Sequence, residues 1–306
     1  MMDKGYIEIV RVLLECAPAI FETPDFAMKG GTAINLFIED MPRLSVDIDV
    51  VFTNHRADRD EAMKSIAHGL DAARKRLTRV GFESEVSGTK NGDEFKLFIR
   101  RGPNQVKVEV NHVFRGTVLP VETRQLGGEA RRLFTTELSV PVLAAPELYG
   151  SKLVAAMDRQ HPRDFFDVRG LFERGGLTAE AVECFVCYLA GHNRPVHEVL
   201  FSRDQDMSSA FENEFVGLAH NPITLAELVS VRRKLKKELP SALTSDQREF
   251  LLGLVAGEPN WQLMKCPHLS QLPAIRWKLQ NLAKLKRSNS RKFNQQSDEL
   301  RARFAS

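Results

Sequence analysis

The chain has 306 residues, of which 43% are hydrophobic, and its 43 Lys and Arg against 40 Asp and Glu give a formal net charge of +3. This length and composition predict a globular protein with one large domain or two ordinary ones. Four cysteines at unrelated spacings argue against a disulfide framework, and neither a secretory signal nor an apolar run of roughly 20 residues is present. We therefore expect a cytoplasmic protein without a membrane partner.

Helices and strands alternate in the first part of the chain. Helical spacing of apolar residues predicts a helix at YIEIVRVLLECAPAIF and, after a short strand or turn at DFAMKGG, a second helix at TAINLFIED. The alternating segment SVDIDVVF, rich in Val, Ile and Phe, predicts a strand. An amphipathic helix that ends at Gly81 follows this strand.

Three further alternating segments and a helical second half complete the pattern. The strands are predicted at FESEVSG, EFKLFIRR and QVKVEVNHVF, separated by turns at TKNGD and RGPN, and the pattern is helical almost throughout after FTTELSVPVLAAPEL. The fold class predicted is α+β, with a small mixed sheet followed by a mainly α-helical domain. We place the domains at residues 1–142 and 143–306.

Two carboxylates interrupt the predicted strand SVDIDVVF. Side chains two residues apart in a strand point to the same face, so Asp47 and Asp49 are expected to lie side by side. Two adjacent carboxylates repel one another and are unfavourable to bury, so a cation must compensate them. A divalent ion, Mg²⁺ or Mn²⁺, does this best and suits metal-assisted phosphoryl or nucleotidyl transfer.

A third carboxylate is available in QVKVEVNHVF. Glu109 lies between the apolar residues Val108 and Val110, so it is expected on the opposite face, where it could join the aspartates as a metal ligand or act as a base. A solvent-facing strand residue is the alternative interpretation of Glu109.

The segment GGT precedes the aspartates by one helix. Gly30 and Gly31 would let the backbone approach a triphosphate closely, and Thr32 would cap the following helix, whose N-terminus attracts phosphates. Arg43 and Ser45, just before the aspartates, are further candidates for phosphate contacts. Together these residues predict a nucleotide site for an NTP.

The order of these motifs resembles a known fold and family. A glycine pair, a helix, a D-x-D strand and a later strand with a carboxylate resemble the polymerase-β-like nucleotidyltransferase fold, and KGGTAINLF, RLSVDIDVVF, VKVEVN and RG resemble the AbiEii toxins of type IV toxin–antitoxin systems, to which the MenT toxins are related. The resemblance covers roughly residues 26–171. One departure is GGT, where many nucleotidyltransferases have Gly-Ser.

A downstream motif extends the resemblance. ELYGSKLVAAMDRQHPRDFFDVRGL is similar to the family's lysine and R-x-K-D-x-x-D signature, carried by Lys152, Arg163, Asp164 and Asp167, without the lysine between Arg163 and Asp164. Lys152 would neutralise phosphate charge, and Asp164 would act as a base or orient Lys152. A charge cluster that only docks the helix is the other interpretation.

The charge distribution bears on the acceptor. Ten basic residues oppose two acidic ones from Trp261 to Ser306, a local charge of +8, whereas the first 260 residues carry −5. This tail favours a polyanionic partner, although a solvated basic helix end explains it equally well. Lys284, Lys286 and Arg287 are the predicted RNA-binding residues.

The resemblance implies an enzyme of the EC 2.7.7 type that transfers a nucleoside monophosphate from an NTP to the 3′ end of tRNA. Growth arrest or abortive infection, countered by a separately encoded antitoxin, is the implied result. Two rival interpretations remain open at this point. The acceptor could be a small molecule, as in the aminoglycoside nucleotidyltransferases, or the chain could be a non-enzymatic interaction module with a degenerate site.

Overall fold

The structure is a computed structural model that describes residues 2–88 and 95–305. Two compact units are present: the first comprises Met1–Leu148 with Phe215–Ile223, and the second comprises Tyr149–Glu214 with Thr224–Ser306. The predicted turn TKNGD, at residues 89–93, lies outside the described residues. The predicted domain division after residue 142 stays a prediction.

A mixed seven-stranded sheet organises the first unit. Its strands are β1 (Phe26–Lys29), β2 (Asp47–Phe52), β3 (Glu83–Gly88), β4 (Phe95–Arg101), β5 (Asn104–Asn111), β6 (Glu122–Gln125) and β7 (Ser139–Val142). The spatial order is β3-β4-β5-β2-β1-β7-β6. The pairs β2/β5 and β1/β7 are parallel, and the other neighbours are antiparallel. Strands and helices thus form the predicted α+β fold, which is confirmed.

Two long helices pack against this sheet, α1 (Lys4–Phe21) and α3 (Arg59–Arg79). Asp3 and Asp58 cap them, since each carboxylate accepts hydrogen bonds from backbone N–H groups of the first turn. The apolar residues of the central strands alternate with polar ones and are almost fully buried, as Ile48 and Val108 are. One face of β2 and β5 therefore belongs to the core, and the other carries their polar side chains.

The connection from β1 to β2 is less regular than expected. The predicted helix TAINLFIED is a short α-helix, α2 (Gly30–Ala33), that continues as a π-helical segment, Ile34–Ile38. Lys29 occupies the N-cap position of α2, and no side chain caps this end. The prediction that Thr32 caps the helix is therefore wrong, because Thr32 lies inside the helix.

Two short strands were not predicted from the sequence. The four-residue strands β6 and β7 pair with one another, and Val142 of β7 pairs with Met28 of β1. The helix α4 (Gly128–Phe134) connects them. Segments this short leave too few residues for an alternation of apolar and polar side chains to be recognised.

The second unit is helical, apart from two short 3₁₀ turns at Trp261–Leu263 and Leu269–Gln271. The remaining helices are α5 (Ala145–Asp158), in which the boundary between the units falls, α6 (Pro162–Glu173), α7 (Ala179–Ala190), α8 (Val196–Leu200), α9 (Ser208–Glu214), α10 (Leu225–Ala242), α11 (Ser245–Val255), α12 (Pro273–Ser288) and α13 (Ser290–Ala305). Thr224 and Thr244 begin α10 and α11 with capping boxes. None of the helices in the described part of the chain combines the length and apolar character needed to cross a bilayer.

Candidate active site

The aspartate pair lies on β2, in the centre of the sheet. Asp47 and Asp49 alternate with buried Ile48 and are themselves partly exposed, so both carboxylates occupy the polar face of the strand. In the parallel register with β5, Asp47 is opposite Lys107 and Asp49 is opposite Glu109. The structure therefore brings the three predicted carboxylates to one face of two adjacent strands.

Two lysines share this face. Lys107 Nζ lies 3.9 Å from Asp47 Oδ1 and 3.3 Å from Glu109 Oε1, and Lys96 Nζ lies 3.3 Å from Glu109 Oε1. Each of these four side chains is about one third exposed (34–37%), so solvent screens the pairs and each contributes at most about 1 kcal/mol. The lysines thus offset part of the negative charge without locking the carboxylates in place.

The glycine pair closes tightly against the same group of residues. Gly30 has a φ of +75°, and a Cβ added there would lie 2.0 Å from Asp49 Oδ2. A Cβ on Gly31 would lie 2.7 Å from Arg43 Nη2. Only glycine allows this backbone to approach the Asp49 carboxylate and the Arg43 guanidinium so closely.

Side-chain hydrogen bonds tie the glycine turn to the start of β2. The buried Thr32 hydroxyl donates to the backbone carbonyl of Asp47 and lies 2.9 Å from the Ser45 hydroxyl. The Asn35 amide donates to the Gly31 carbonyl at 2.9 Å. The Thr32 hydroxyl therefore positions the turn beside Asp47, and the predicted contact of Thr32 with the phosphates stays a prediction.

Arg43 is a buried cation behind the turn. Its side chain is 2% exposed, Nη1 donates to the Leu44 carbonyl at 2.9 Å, and its backbone pairs with Ala219. Both the guanidinium and the Ser45 hydroxyl face Gly31. The predicted phosphate contacts of Arg43 and Ser45 stay predictions, and the observed role of both is to back the glycine turn.

The polar face of β2 offers oxygen ligands of the kind that a divalent cation prefers. Asp47 and Asp49 supply hard carboxylate oxygens on one face, and they are accessible to solvent, which fits Mg²⁺. Among residues 2–88 and 95–305, no three His, Cys, Asp or Glu side chains form a group that could hold a metal ion. Asp47 and Asp49 thus fit the ion as a pair, and the place of Glu109 among its ligands stays a prediction.

A second charge cluster lies in the second unit, between α5 and α6. Lys152 Nζ is 3.0 Å from Asp164 Oδ1 and 2.8 Å from Asp167 Oδ2. Arg159 makes a bidentate contact with Asp164, in which Nε donates to Oδ2 at 2.6 Å and Nη2 donates to Oδ1 at 2.8 Å. The two carboxylates are fully buried and Lys152 is 6% exposed. Because two cations, Lys152 and Arg159, face two carboxylates, the cluster has no net charge.

The protonation of Asp164 follows from this arrangement. Burial alone would raise the pKa of its carboxyl, but the Lys152 ammonium and the Arg159 guanidinium outweigh burial and hold that pKa well below its ordinary value. A carboxylate so strongly held in the ionised form is a poor proton acceptor. Of the two roles predicted for Asp164, the geometry favours orienting Lys152 over acting as a base.

The basic group that contacts Asp164 beside Lys152 is Arg159, which no sequence motif marked, and not Arg163 of the predicted motif. Arg163 Nε instead donates to the Glu214 carbonyl at 3.1 Å. Arg159 lies just upstream of the HPRDFFD segment, and Gln160, with a φ of +50°, turns the chain between the two helices. No signal in the sequence marks this left-handed residue, because Gln seldom adopts that conformation.

The predicted RNA-binding residues are on the surface. Lys284, Lys286 and Arg287 are all exposed on α12, and the Lys286 ammonium lies 5.4 Å from the centre of the Phe293 ring. Their contact with RNA stays a prediction.

Comparisons with known proteins identify the family and support the fold. The family model described as nucleotidyl transferase AbiEii toxin, type IV toxin–antitoxin system, matches residues 11–281. Among solved structures, the MenT4 nucleotidyltransferase toxin of Mycobacterium tuberculosis H37Rv is similar in fold, with a TM-score of 0.57 and 19% identity over 79% of this chain and 87% of that one. A search of curated proteins gave no match. The chain belongs to the AbiEii family of nucleotidyltransferase toxins of type IV toxin–antitoxin systems, as its resemblance implied.

Proposed function

We propose that this nucleotidyltransferase uses Mg²⁺ or Mn²⁺ and transfers a nucleoside monophosphate from an NTP to the 3′ end of tRNA. One observation carries the assignment of the site: Gly30 approaches the Asp49 carboxylate so closely that a Cβ would lie 2.0 Å from its Oδ2. A glycine turn that binds phosphates and a carboxylate pair that binds a cation are thereby joined into one site.

The reaction proposed is a single in-line displacement. The acceptor hydroxyl oxygen forms a bond to the α-phosphorus while the bond from that phosphorus to the bridging oxygen of the β-phosphate breaks, and pyrophosphate leaves with the electron pair. Glu109 takes the proton of the hydroxyl in this proposal. Its carboxylate is partly exposed on the face that carries Asp47 and Asp49, and it lies 3.3 Å from the ammonium groups of Lys96 and Lys107.

The cation would be held by Asp47 and Asp49. When bound, it neutralises negative charge on the phosphates during the transfer. Before it binds, Lys107 offsets part of the charge of Asp47. The backbone of Gly30 and Gly31 leaves space for the triphosphate, which we propose also contacts Arg43 and Ser45.

Lys152 and Asp164 enter the proposal through the family motif. Lys152 would stabilise negative charge on the triphosphate, and Asp164 would position Lys152. The ion pairs of the cluster support the second part, because Asp164 contacts Lys152 at 3.0 Å and is held ionised. The first part depends on the correspondence of Lys152 with the motif lysine.

The proposed function also includes an RNA acceptor, an antitoxin partner and growth arrest of the cell. The +8 charge of residues 261–306 favours an RNA acceptor over a molecule of the size of an aminoglycoside. Membership of a type IV toxin family supports an antitoxin as partner and growth arrest, or abortive infection, as the result, in the cytoplasm.

The test of the reaction is incubation with each radiolabelled NTP, Mg²⁺ and total cellular RNA. Label is expected in the tRNA fraction with one or a few NTPs, and chelation of the cation should abolish it. Label that appears on a small molecule but never on RNA would overturn the acceptor. Absence of transfer from any NTP to any acceptor would overturn the assignment of the site.

The tail is tested by the triple variant Lys284→Glu, Lys286→Glu, Arg287→Glu. We expect weaker RNA binding, a smaller dependence of binding on salt, and reduced RNA labelling. With fewer phosphate contacts, fewer counterions are released when the RNA binds. NTP binding should be unchanged. If the variant labels RNA as well as wild type does, the small-molecule acceptor becomes the better proposal.

A further inference from the structure

One face of α12 combines an aromatic side chain with positive charge. Trp277 is 56% exposed, which is unusual for so large an apolar side chain, and Arg276, Lys284 and Arg287 are exposed as well. At 100° per residue these four positions fall within an arc of about 100° on the helix surface. They form a strip about 15 Å long, which we call the Trp277 strip.

The indole of Trp277 differs from the other exposed apolar groups. In residues 2–88 and 95–305, every other exposed large hydrophobic residue is Val or Leu, which leaves Trp277 as the aromatic member of the set. The second tryptophan, Trp261, is less exposed and packs against Phe250 with ring centroids 5.9 Å apart. An unpacked indole has a flat π-face available to a partner.

The charge around the strip has one sign. The segment from Pro259 to Ser297 contains eight Lys or Arg and no Asp or Glu. Two of the eight are engaged elsewhere: Lys278 is buried and donates to two backbone carbonyls, and Lys286 lies against the Phe293 ring. Within the described residues, Arg276, Lys284 and Arg287 take part in no ion pair. The positive charge of the strip is therefore not neutralised within α12.

We propose that the Trp277 strip binds single-stranded RNA, with a nucleobase stacked on the Trp277 indole and phosphates on Arg276, Lys284 and Arg287. Aromatic side chains that interrupt a row of cations are the elements by which proteins bind single strands without reading their sequence. A protein with an acidic surface is the other partner that a tryptophan among cations could bind, and the comparison of single strand with duplex distinguishes it from RNA. The proposal rests on the proposed RNA acceptor and deepens it, because it names the unpaired end of the RNA as the part that is bound.

Stacking makes a prediction that charge alone does not. A base in a duplex is already stacked on its neighbours, so the indole should add affinity for a single strand and little for a duplex. Loss of one stacked base weakens binding by about tenfold to a hundredfold. The three cations should contribute a salt dependence of log K with a slope of about −2.

The experiment measures binding of a fluorescent single-stranded oligoribonucleotide, and of a duplex, to the full chain. Trp277→Leu should weaken single-strand binding about tenfold or more, while Trp277→Phe, which retains a ring, should keep most of the affinity. Arg301→Leu, at an exposed position of α13 shortly after Asp298 and Glu299, is the control for the loss of a surface side chain. Trp261→Phe leaves Trp277 as the sole tryptophan, and its fluorescence should be quenched by the oligonucleotide.

The possible outcomes separate this proposal from the proposed function. If the Trp277→Leu variant binds and labels RNA as well as wild type does, the proposal that the Trp277 strip binds RNA is overturned and the proposed function is unaffected. Binding that depends on Trp277 in a protein that never labels RNA overturns the function and leaves the strip intact. Equal losses for single strand and duplex would overturn stacking. Asp49→Ala should bind the oligonucleotide like wild type.

Discussion

The carboxylate face of β2 and β5 and the Lys152 cluster contain similar groups in opposite environments. Asp47, Glu109 and Lys107 are about one third exposed, and their closest contacts are 3.3 and 3.9 Å. Asp164 and Asp167 are fully buried, and their contacts with Lys152 are 3.0 and 2.8 Å. In the exposed group another cation can replace the lysine ammonium. In the buried group each carboxylate contacts the ammonium of Lys152, which the surrounding protein keeps in place.

This difference indicates separate tasks for the two groups. An exposed ion pair contributes about 0–1 kcal/mol, so the lysines on the sheet can be displaced at little loss when a divalent cation binds. Breaking a buried pair leaves an uncompensated charge and costs about 3–5 kcal/mol. This contrast supports the proposal that the exposed carboxylates bind the cation and that the buried ones hold Lys152 in place.

The largest effect is expected from Asp49→Ala. Removal of this carboxylate should reduce transfer more than about a thousandfold, because the cation loses a ligand. The variant should stay folded and be at least as stable as wild type, since two neighbouring carboxylates no longer repel each other. Transfer is measured by radiolabel and stability by thermal unfolding. Glu85→Ala, which removes an exposed carboxylate from β3, is the matched control, and Mg²⁺-dependent activity near wild type in Asp49→Ala would refute the site.

Lys152→Ala tests the buried half of the comparison. It should lower the rate at least about a hundredfold, and the two abandoned carboxylates should lower the free energy of unfolding by about 3–5 kcal/mol. Lys107→Ala, the exposed counterpart, should change the free energy of unfolding by less than about 1 kcal/mol. Denaturant unfolding and initial rates distinguish the two effects. A folded Lys152→Ala protein with wild-type rate would show that this lysine is only structural.

Gly30→Ala sharpens the comparison at the turn. The new methyl group would overlap Asp49 Oδ2, and a displacement of this carboxylate by about 1 Å should lower the rate by about tenfold to a hundredfold. Gly81→Ala is the matched control, because its φ of +83° imposes similar backbone strain while nothing lies within 4 Å of the added Cβ. Gly30→Ala should lose more stability than Gly81→Ala, since the overlap with Asp49 adds to the backbone strain, and equal losses of activity would refute a specific contact with Asp49.

The last effect is on stability alone and concerns Lys278, a buried lysine whose ammonium donates to the carbonyls of His192 and Arg194 at 2.9 and 2.7 Å. Burial lowers its pKa from 10.5 to about 8, against the opposing effect of Glu198. Between these values the unfolded chain binds more protons than the folded one, so this lysine makes stability rise with pH, by at most about 1.4 kcal/mol per pH unit. Below about pH 8 Lys278 is charged in the folded protein as well, so the free-energy cost of burying its charge is fully present.

The measurement is denaturant unfolding of wild type and Lys278→Met at several pH values from 7 to about 11. The difference between their free energies of unfolding should change between about pH 8 and 10.5 and be level outside that interval. A difference independent of pH would mean that burial does not perturb this lysine.

The elements that could be predicted from the sequence are those whose pattern lies within a short stretch of the chain. Alternation around Asp47 and Asp49 sufficed to predict β2 and its polar face, and the helical spacing of apolar residues sufficed for α1 and α3. Pairings between distant residues were not accessible, since the register that places Lys107 beside Asp47 depends on how β5 aligns with β2. Arg159 reaches Asp164 only because Gln160 turns the chain between two helices, and local propensity disfavours that turn.

The contact between Gly30 and Asp49 also imposes an order on mutation. A side chain can enter position 30 without overlap only after position 49 has lost its carboxylate; Asn, which tolerates a left-handed backbone better than most residues, is one example. Once such a side chain is established, restoring Asp49 would recreate the overlap, so the second step hinders reversal of the first. Inactivation of this toxin through position 49 is therefore expected to become progressively irreversible, and revertants of Asp49→Ala should recover far less often when position 30 carries Asn.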